Sequence, residues 1–270
     1  MRIVDCHVHV VGEVDPAEMI AAMDANGVDR MILLSQPDRK SLDKTRENLL
    51  RTKATFDAAG ERVSGLAWVN PTIDGMADLA AEALTAMGYS GIKIIPDHWY
   101  AYEDRLQPFW ARMNELAASI LFHTGILYGW EDASRFCRPV YLEKLIEYPD
   151  IRFAMAHISW PWCEENLAVM GRMRAGARRA PDGSRPWQSY VDLTPGTPPH
   201  IRRQAVANAI DFCGPDRIMF GTDAKVPDRM AKQKELIEEY LALLADLGLD
   251  PDAQQRIMAG TADEVFPVRR

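Results

Sequence analysis

The sequence has few cysteines, and no two of them are close together. Its 270 residues include four: Cys6, Cys137, Cys163 and Cys213. A zinc knuckle or a disulfide framework needs cysteines at short or repeated spacings, and no Cys-x-x-Cys pair is present. Free thiols in a reducing compartment fit this pattern better, so we expect a cytoplasmic protein.

Long apolar runs and basic clusters are also missing. No apolar run approaches the about 20 residues of a membrane-spanning helix, and His7 and His9 interrupt the only candidate signal peptide. Acidic residues exceed basic ones, 39 against 31. The basic stretch 172–185 is broken by Ala, Gly, Pro and Asp. We therefore expect no membrane and no nucleic-acid partner, but a small-molecule substrate; a homodimer is left open.

Short apolar segments alternate with amphipathic ones along the chain. The predicted strands are Ile3–Val10, Arg30–Ser35, Val63–Asn70, Gly91–Ile95, Ile120–Thr124, Ile151–His157, Trp187–Leu193 and Arg217–Thr222. The predicted helices are Pro16–Ala25, Ser41–Ala59, Gly75–Met87, Leu106–Ala118, Val140–Glu147, Pro161–Met173, His200–Phe212 and Asp228–Leu247. Eight such pairs predict an α/β protein with a (β/α)₈ TIM barrel. A doubly wound open sheet is the alternative, but its glycine-rich phosphate turn is absent after the first strand.

The chain shows no linker rich in Pro, Gly or Ser, so residues 1–270 are predicted to form one domain. Residues 177–186 are predicted to form an excursion loop. Residues 250–267 are predicted to form a C-terminal helical appendage that packs on the barrel.

Polar residues able to bind metal or carry protons recur at the ends of predicted strands. They are His7 and His9 on the first strand, Lys93 on the fourth, His123 on the fifth, His157 on the sixth and Asp223 on the eighth. Side chains two apart on a strand share a face, which puts His7 and His9 together. The carboxyl ends of barrel strands meet at the face where active sites assemble. Imidazoles and a carboxylate converging there predict a divalent metal site.

At these positions the sequence resembles the amidohydrolase superfamily. The nearest resemblance is to its amidohydrolase-related branch, which includes metal-dependent decarboxylases such as aminocarboxymuconate-semialdehyde decarboxylase. The matching segments, in the family's order, are Asp5-Cys6-His7-Val8-His9, Gly91-Ile92-Lys93-Ile94, Leu121-Phe122-His123-Thr124-Gly125, Ala156-His157 and Phe220-Gly221-Thr222-Asp223. Residues 256–266 are similar to the family's closing helix, with Thr261 where Asn is usual.

The resemblance implies that His7, His9, His123 and Asp223 surround one divalent metal ion. Zinc is expected, with manganese or a second metal as alternatives. His157 would stand beside the bound water as an acid/base or as a further ligand. Zinc with an open coordination position can lower the pKa of bound water towards about 7. Asp223 can then accept a proton, and His157 can move one at the substrate.

Lys93 has two interpretations. In binuclear relatives a carbamylated lysine on the fourth strand bridges two metals, whereas in the mononuclear branch it does not. We expect an unmodified lysine with a catalytic role, holding a substrate carboxylate or orienting a neighbour. Carbamylation stays open, because no sequence motif encodes it.

Aromatic residues follow the fourth, fifth and sixth strands. Trp99, Tyr128 and Trp160 are predicted to line the substrate pocket. Aromatic walls suit a flat or apolar small molecule and exclude water from a metal. His98 is interpreted either as a substrate contact or as a surface histidine.

Two reactions fit this set of residues. The predicted function is a zinc-dependent hydrolase in which metal-bound hydroxide attacks a lactone, ester or amide of a small organic substrate, aromatic or carboxylate-bearing. The alternative is a metal-dependent decarboxylase, in which His157 or Asp223 protonates a carbon as carbon dioxide leaves an aromatic or unsaturated carboxylate. Both need the same ligands, so the ligands do not discriminate between them.

Overall fold

A computed structural model describes residues 1–179, 186–227 and 230–269. Its strands are β1 Val4–Val10, β2 Arg30–Leu34, β3 Val63–Trp68, β4 Gly91–Ile94, β5 Ser119–Phe122, β6 Arg152–Met155, β7 Ser189–Asp192, β8 Ile218–Met219 and β9 Ala224–Val226. All pair in parallel, in the order β8-β7-β6-β5-β4-β3-β2-β1-β9. The fold is therefore of the α/β class and resembles a TIM barrel, as predicted.

The predicted eighth strand is divided into two short ones. β8 pairs with β7, and β9 pairs with β1. Between them the Cys6 N–H donates to the Phe220 carbonyl (3.1 Å), and the Asp223 N–H donates to the His7 carbonyl (3.0 Å). The segment from β8 to β9 thus joins the two ends of the sheet and brings Asp223 to the end of β1.

Helices follow most strands. They are α1 Pro16–Asn26, α2 Leu42–Ala59, α3 Met76–Thr85, α4 Gln107–Glu115, α5 Cys163–Arg178, α6 Pro199–Cys213, α7 Lys232–Asp246, α8 Pro251–Gln255 and α9 Thr261–Val265. A 3₁₀ helix, Pro139–Glu147, precedes β6, and a π-helical turn, Arg256–Gly260, joins α8 to α9. None of the helices within the described ranges is long and apolar enough to cross a membrane.

Two predictions fall partly outside the described residues. Most of the predicted loop 177–186 lies there, and its first residues instead continue α5 to Arg178. The predicted start of the last barrel helix, Asp228, also lies outside the described residues, and α7 begins at Lys232.

Local signals explain both ends of α1 and the start of α2. Asp15 caps α1 by accepting a hydrogen bond from Ala17 N (2.8 Å), and Pro16 occupies the first turn. Gly27 ends α1 at φ 71°, a left-handed conformation that glycine adopts without strain. Ser41 caps α2 through Lys44 N (3.1 Å).

Side chains of the strands divide between two hydrophobic clusters. An outer cluster packs against the helices and includes Met31, Leu33, Ile92, Ile94 and Phe122. An inner cluster includes Ile32, Leu34, Leu66, Leu121, Ala262 and Phe266. Neighbouring residues on β2 and β5 alternate between the clusters, as strand geometry requires. Residues of α9 share the inner cluster with the strands.

Strand β1 departs from this alternation. Its register against β2 shifts between Asp5 and Val8. Val4 and Cys6 belong to the inner cluster, whereas Val8 belongs to the outer one. An irregularity of this kind redirects side chains. It lies at His7, the first of the predicted metal ligands.

Gly91, which precedes Lys93 on β4, occupies a position without room for a side chain. A Cβ there would lie 2.6 Å from the Ser119 carbonyl oxygen and 2.9 Å from the Phe266 ring. We expect Gly91→Ala to lower the free energy of unfolding by about 1–3 kcal/mol, because backbone has to move. Urea denaturation measures this. Gly12→Ala is the control, since its Cβ would meet nothing within 4 Å; equal stability of the two variants would contradict the explanation.

Candidate metal centre and adjoining cavity

Three of the predicted ligands lie together at the carboxyl end of β1. His9 Nε2 is 3.0 Å from Asp223 Oδ1, and His7 Nε2 is 3.6 Å from the same oxygen. Each of the three residues offers a donor atom within 4.8 Å of the other two. Asp223 has φ 58°, so its backbone reverses direction just after β8 and turns the carboxylate towards the histidines. Two imidazoles and one carboxylate at this separation fit a divalent ion.

His123, the fourth predicted ligand, lies beside this group but not within it. Its side chain is buried, and its Nε2 has no hydrogen-bond partner among the described residues. Burial, reinforced by the nearby His157 and Lys93, holds the His123 pKa well below its ordinary value, so the ring is neutral. A buried neutral imidazole nitrogen without a partner is costly, and coordination of a cation would satisfy it. The donor chemistry of His123 therefore also fits a metal.

His157 lies against both His7 and His123, with ring-centroid distances of 5.3 and 4.9 Å. It belongs to a 3₁₀ turn after β6 and has φ 61°. The Pro195 carbonyl can only accept, so His157 Nδ1 carries the proton of their 3.2 Å hydrogen bond. Nε2 is then an acceptor, and burial keeps the pKa of the ring below its ordinary value.

Lys93 is fully buried beneath the histidines. Its Nζ lies 3.4 Å from His7 Nε2. Burial lowers its pKa to about 8, against the opposing charges of Asp192 and Asp223. Lys93 is not among the described residues that line the cavity above. This position supports contact with His7 rather than with a bound carboxylate.

Asp192, a buried carboxylate behind His7, was not predicted as a site residue from the sequence. It ends β7 and places Oδ2 2.8 Å from His7 Nδ1. A signal for it existed, because Asp192 stands at the end of its strand just as Asp223 and the histidines stand at theirs.

Asp5, the first residue of the Asp5-Cys6-His7-Val8-His9 motif, supports the site from behind. Its carboxylate accepts hydrogen bonds from Thr222 N (3.0 Å), the Thr222 hydroxyl and Gln233 Nε2 (2.8 Å). Burial raises the Asp5 pKa to about 6, although these hydrogen bonds oppose the shift. Asp5 thus connects β1 to the residue before Asp223 and to α7.

A cavity of about 380 Å³ opens above the centre. His9, His123, His157 and Asp223 contribute to its lining. Tyr128 and Trp160 line it as well, in the places predicted for them. The candidate metal ligands and the aromatic side chains thus line the same cavity.

Two tryptophans that the sequence reasoning did not assign to the pocket form another wall. Trp68 and Trp130 both line the cavity, and their rings stack at 5.7 Å between centroids and 8° between planes. The Arg39 guanidinium lies 4.7 Å from the Trp130 ring centroid and pairs with Asp97. Trp68 ends β3, so its place at a strand end was the available signal.

The other two predicted substrate contacts lie elsewhere. Trp99 is 2% exposed and packs in the outer hydrophobic cluster. His98 is exposed and forms hydrogen bonds with Asp97 and Asp132. Neither is among the described residues that line the cavity. For His98, the geometry matches a surface histidine.

Solved structures of similar fold include both decarboxylases and hydrolases. 5-Carboxyvanillate decarboxylase from Sphingomonas paucimobilis is 14% identical, with a TM-score of 0.71 over 99% of each chain. A probable 2-pyrone-4,6-dicarboxylic acid hydrolase from Acinetobacter baumannii is 16% identical, with a TM-score of 0.65 over 98% of this chain and 99% of that one. 5-Carboxyvanillate decarboxylase from Novosphingobium aromaticivorans, complexed with manganese, is 18% identical, with a TM-score of 0.66 over 93% of this chain and 79% of that one. At these identities the likeness shows the fold.

The sequence itself matches a known family. No curated protein matches the chain. The family model described as Amidohydrolase, however, matches residues 4–268, which span the candidate metal centre and strands β1 to β9. The protein therefore belongs to the amidohydrolase family and is an enzyme of that superfamily, as the motifs in its strands predicted.

Proposed function

We propose that the protein is a zinc-dependent hydrolase that opens a lactone, ester or amide of a small, flat, carboxylate-bearing molecule. The observation that carries this proposal is the position of Asp223. Its carboxylate contacts both His7 and His9, and it also lines the cavity. A proton acceptor thus stands where substrate and water can meet.

His7, His9, His123 and Asp223 would hold the metal ion. Manganese is the second choice, since the Novosphingobium aromaticivorans decarboxylase was crystallised with it. When bound, a divalent ion supplies positive charge that lowers the pKa of a water and polarises a carbonyl. Zinc prefers imidazole nitrogens and carboxylate oxygens as ligands. His123 Nε2, which has no hydrogen-bond partner among the described residues, and Asp223 Oδ1, which lies near His7 and His9, are donors of these types.

Asp223 would take the proton of the attacking water. Burial alone would raise the pKa of Asp223, but the His9 hydrogen bond and the neighbouring histidines outweigh burial and hold it well below the usual range. The group is therefore an ionised acceptor at neutral pH. His157, whose Nε2 faces no described partner, would receive a proton and pass it to the leaving oxygen or nitrogen.

The cavity supports a flat substrate with a negative charge at its outer end. Trp68, Trp130 and Trp160 offer aromatic faces. Lys225 also lines the cavity, is exposed, and forms no ion pair with any described residue. Its register partner on β1 is His9, so the ammonium stands beside the centre. An unpaired cation at the mouth suits a carboxylate.

Decarboxylation is the second candidate. Ile95, Leu127 and the tryptophans make much of the wall apolar. A carboxylate pressed against such a wall loses hydration, which favours its conversion to neutral carbon dioxide. The two decarboxylases of similar fold support this candidate to the same extent as the probable pyrone hydrolase supports the first.

A single labelling experiment separates the two reactions. The zinc-loaded and manganese-loaded proteins are incubated with lactones, esters and aromatic carboxylates in heavy-oxygen water. Hydrolysis incorporates one solvent oxygen into the product, and decarboxylation releases carbon dioxide without doing so. Mass spectrometry reads both. Turnover of aromatic carboxylates alone, with carbon dioxide released, would replace the first proposal by the second.

We expect an unmodified Lys93 and one metal per chain. Its Nζ lies 3.4 Å from His7 Nε2, which leaves no room for a carbamate between them, and His7, His9 and Asp223 form one group of candidate ligands. Activity should then not respond to added bicarbonate. Elemental analysis measures the number of metal ions per chain, and the intact mass of the protein shows whether Lys93 is carbamylated. Two metals per chain together with a lysine carbamate would identify a binuclear enzyme instead.

Lys225→Met is expected to raise KM for a carboxylate-bearing substrate about fivefold with little change in kcat. An exposed charge pair contributes up to about 1 kcal/mol, which is about that factor. Lys234→Met, an exposed lysine on α7 outside the cavity lining, is the control. An equal rise in KM for a neutral ester would show that Lys225 does not bind the carboxylate.

A further inference from the structure

We infer that Asp192, clamped by Thr194, is a positioning residue that holds the His7 imidazole with its Nε2 lone pair directed at the metal centre. The inference rests on the proposed role of His7 as a ligand. None of the segments that carry the family resemblance includes a residue of β7.

With Asp192 ionised, the hydrogen bonds around it are consistent with one arrangement of protons. Asp192 Oδ1 accepts from Thr194 N (2.7 Å) and from the Thr194 hydroxyl. The single hydroxyl proton of Thr194 is thereby used, so Thr194 Oγ1, which lies 3.2 Å from His7 Nδ1, cannot donate to it. Asp192 Oδ2, 2.8 Å from the same nitrogen, is a carboxylate oxygen that only accepts. His7 Nδ1 must therefore carry the proton, which leaves the lone pair on Nε2.

The other side of the ring agrees with this assignment. His7 Nε2 lies 3.4 Å from Lys93 Nζ, and the lysine ammonium can only donate. The same nitrogen lies 3.6 Å from Asp223 Oδ1, the shared oxygen of the proposed ion site. One nitrogen of His7 thus faces the ligands and the other faces the carboxylate behind them.

Close packing keeps the pair in contact. His7 and Asp192 are both fully buried, so water does not compete for their hydrogen bond. At Gly221 an added Cβ would lie 2.8 Å from His7 Cβ, 2.8 Å from Thr194 Oγ1 and 3.3 Å from Asp192 Oδ1. The glycine of the Gly221-Thr222-Asp223 motif therefore leaves room for this cluster. A carboxylate that accepts from the distal nitrogen of a ligand histidine fixes its tautomer and raises its basicity.

Asp192→Asn tests the inference through metal affinity. Asparagine keeps the shape, but its amide can present an N–H to His7 Nδ1 and so favour the wrong tautomer. Zinc affinity, measured by competition with a chelator, should fall about 10- to 100-fold. Tyr190→Phe is the matched control: it removes a hydroxyl two residues earlier on β7, in the inner cluster, and should leave affinity unchanged. Parental affinity in folded Asp192→Asn would overturn the inference.

A second pair of variants applies if Asp192→Asn does not fold. Thr194→Val removes the hydroxyl that clamps Asp192 and should weaken zinc binding about 2- to 10-fold. Thr194→Ser keeps the hydroxyl and should restore parental affinity. Equal affinities for the valine and serine variants would remove Thr194 from the proposed role.

The tautomer itself can be observed without metal. Nitrogen-15 labelling of the six histidines gives long-range correlation spectra in which the two tautomers differ. We expect metal-free His7 to be protonated on Nδ1 in the parent and to lose that preference in Asp192→Asn. A parent His7 protonated on Nε2 would overturn the inference. If the parent binds no zinc, the proposed ligand set fails, and this spectrum still decides what Asp192 does.

Discussion

The His9→Ala variant is expected to lose its divalent metal, and its activity with it, while remaining folded. His9 supplies one of three donor atoms within 4.8 Å of one another, so its removal leaves a two-residue group. The loss of affinity should exceed the about 10- to 100-fold typical of outer-shell partners. Since the ring lines the cavity rather than the core, truncation leaves little void to fill.

Elemental analysis after dialysis against a chelator measures the metal, and thermal unfolding checks the fold. His200→Ala is the control, because His200 is an exposed residue in the first turn of α6, outside the cavity lining. The combined His7→Ala/His9→Ala variant removes two of the three donors. Full metal stoichiometry in that variant would place the metal elsewhere in the protein.

The succession of strands along the chain could be predicted because most of them are short apolar runs followed by an amphipathic helix. The convergence of His9, His123, His157 and Asp223 then follows from the geometry of parallel sheets, in which carboxyl ends share one face. The family resemblance was predicted from those residues, and the match over residues 4–268 confirms it.

The direction in which individual side chains point was harder to predict from the sequence than the succession of the strands. Alternation predicts that Cys6 and Val8 share a face, yet the register shift in β1 separates them into different clusters. His98 has φ 61°, so the chain reverses just before Trp99 and turns that ring into the outer core. Both features depend on packing between distant segments, and no local pattern of residues encodes them.

Asp192 and Trp68 show a different limit. Each stands at a strand end, but aspartate and tryptophan are also ordinary residues at such positions. Only the contact with His7 Nδ1 distinguishes Asp192, and only the stacking with Trp130 distinguishes Trp68. Both contacts join residues more than 60 positions apart, so three-dimensional structure was needed to identify them.

His157→Asn is expected to lower kcat about 10²- to 10⁴-fold, the usual contribution of a positioned acid/base group. Asparagine suits the site, because residue 157 has φ 61° and asparagine tolerates the left-handed conformation at least as well as histidine does. Alanine would add backbone strain to the loss of the imidazole. The asparagine variant therefore separates chemistry from folding.

Metal content and the pH dependence of the rate show whether the loss of activity in His157→Asn comes from lost proton transfer or from lost metal. His7, His9, His123 and Asp223 remain in His157→Asn, so metal content should stay near that of the parent. Burial lowers the His157 pKa, so the parent loses its neutral, proton-accepting ring only as pH falls below the ordinary range of histidine. The acidic limb of the parent's pH–rate profile should therefore disappear in the variant. If metal is lost in proportion to activity, His157 is a ligand, and Asp223 alone must carry the proton.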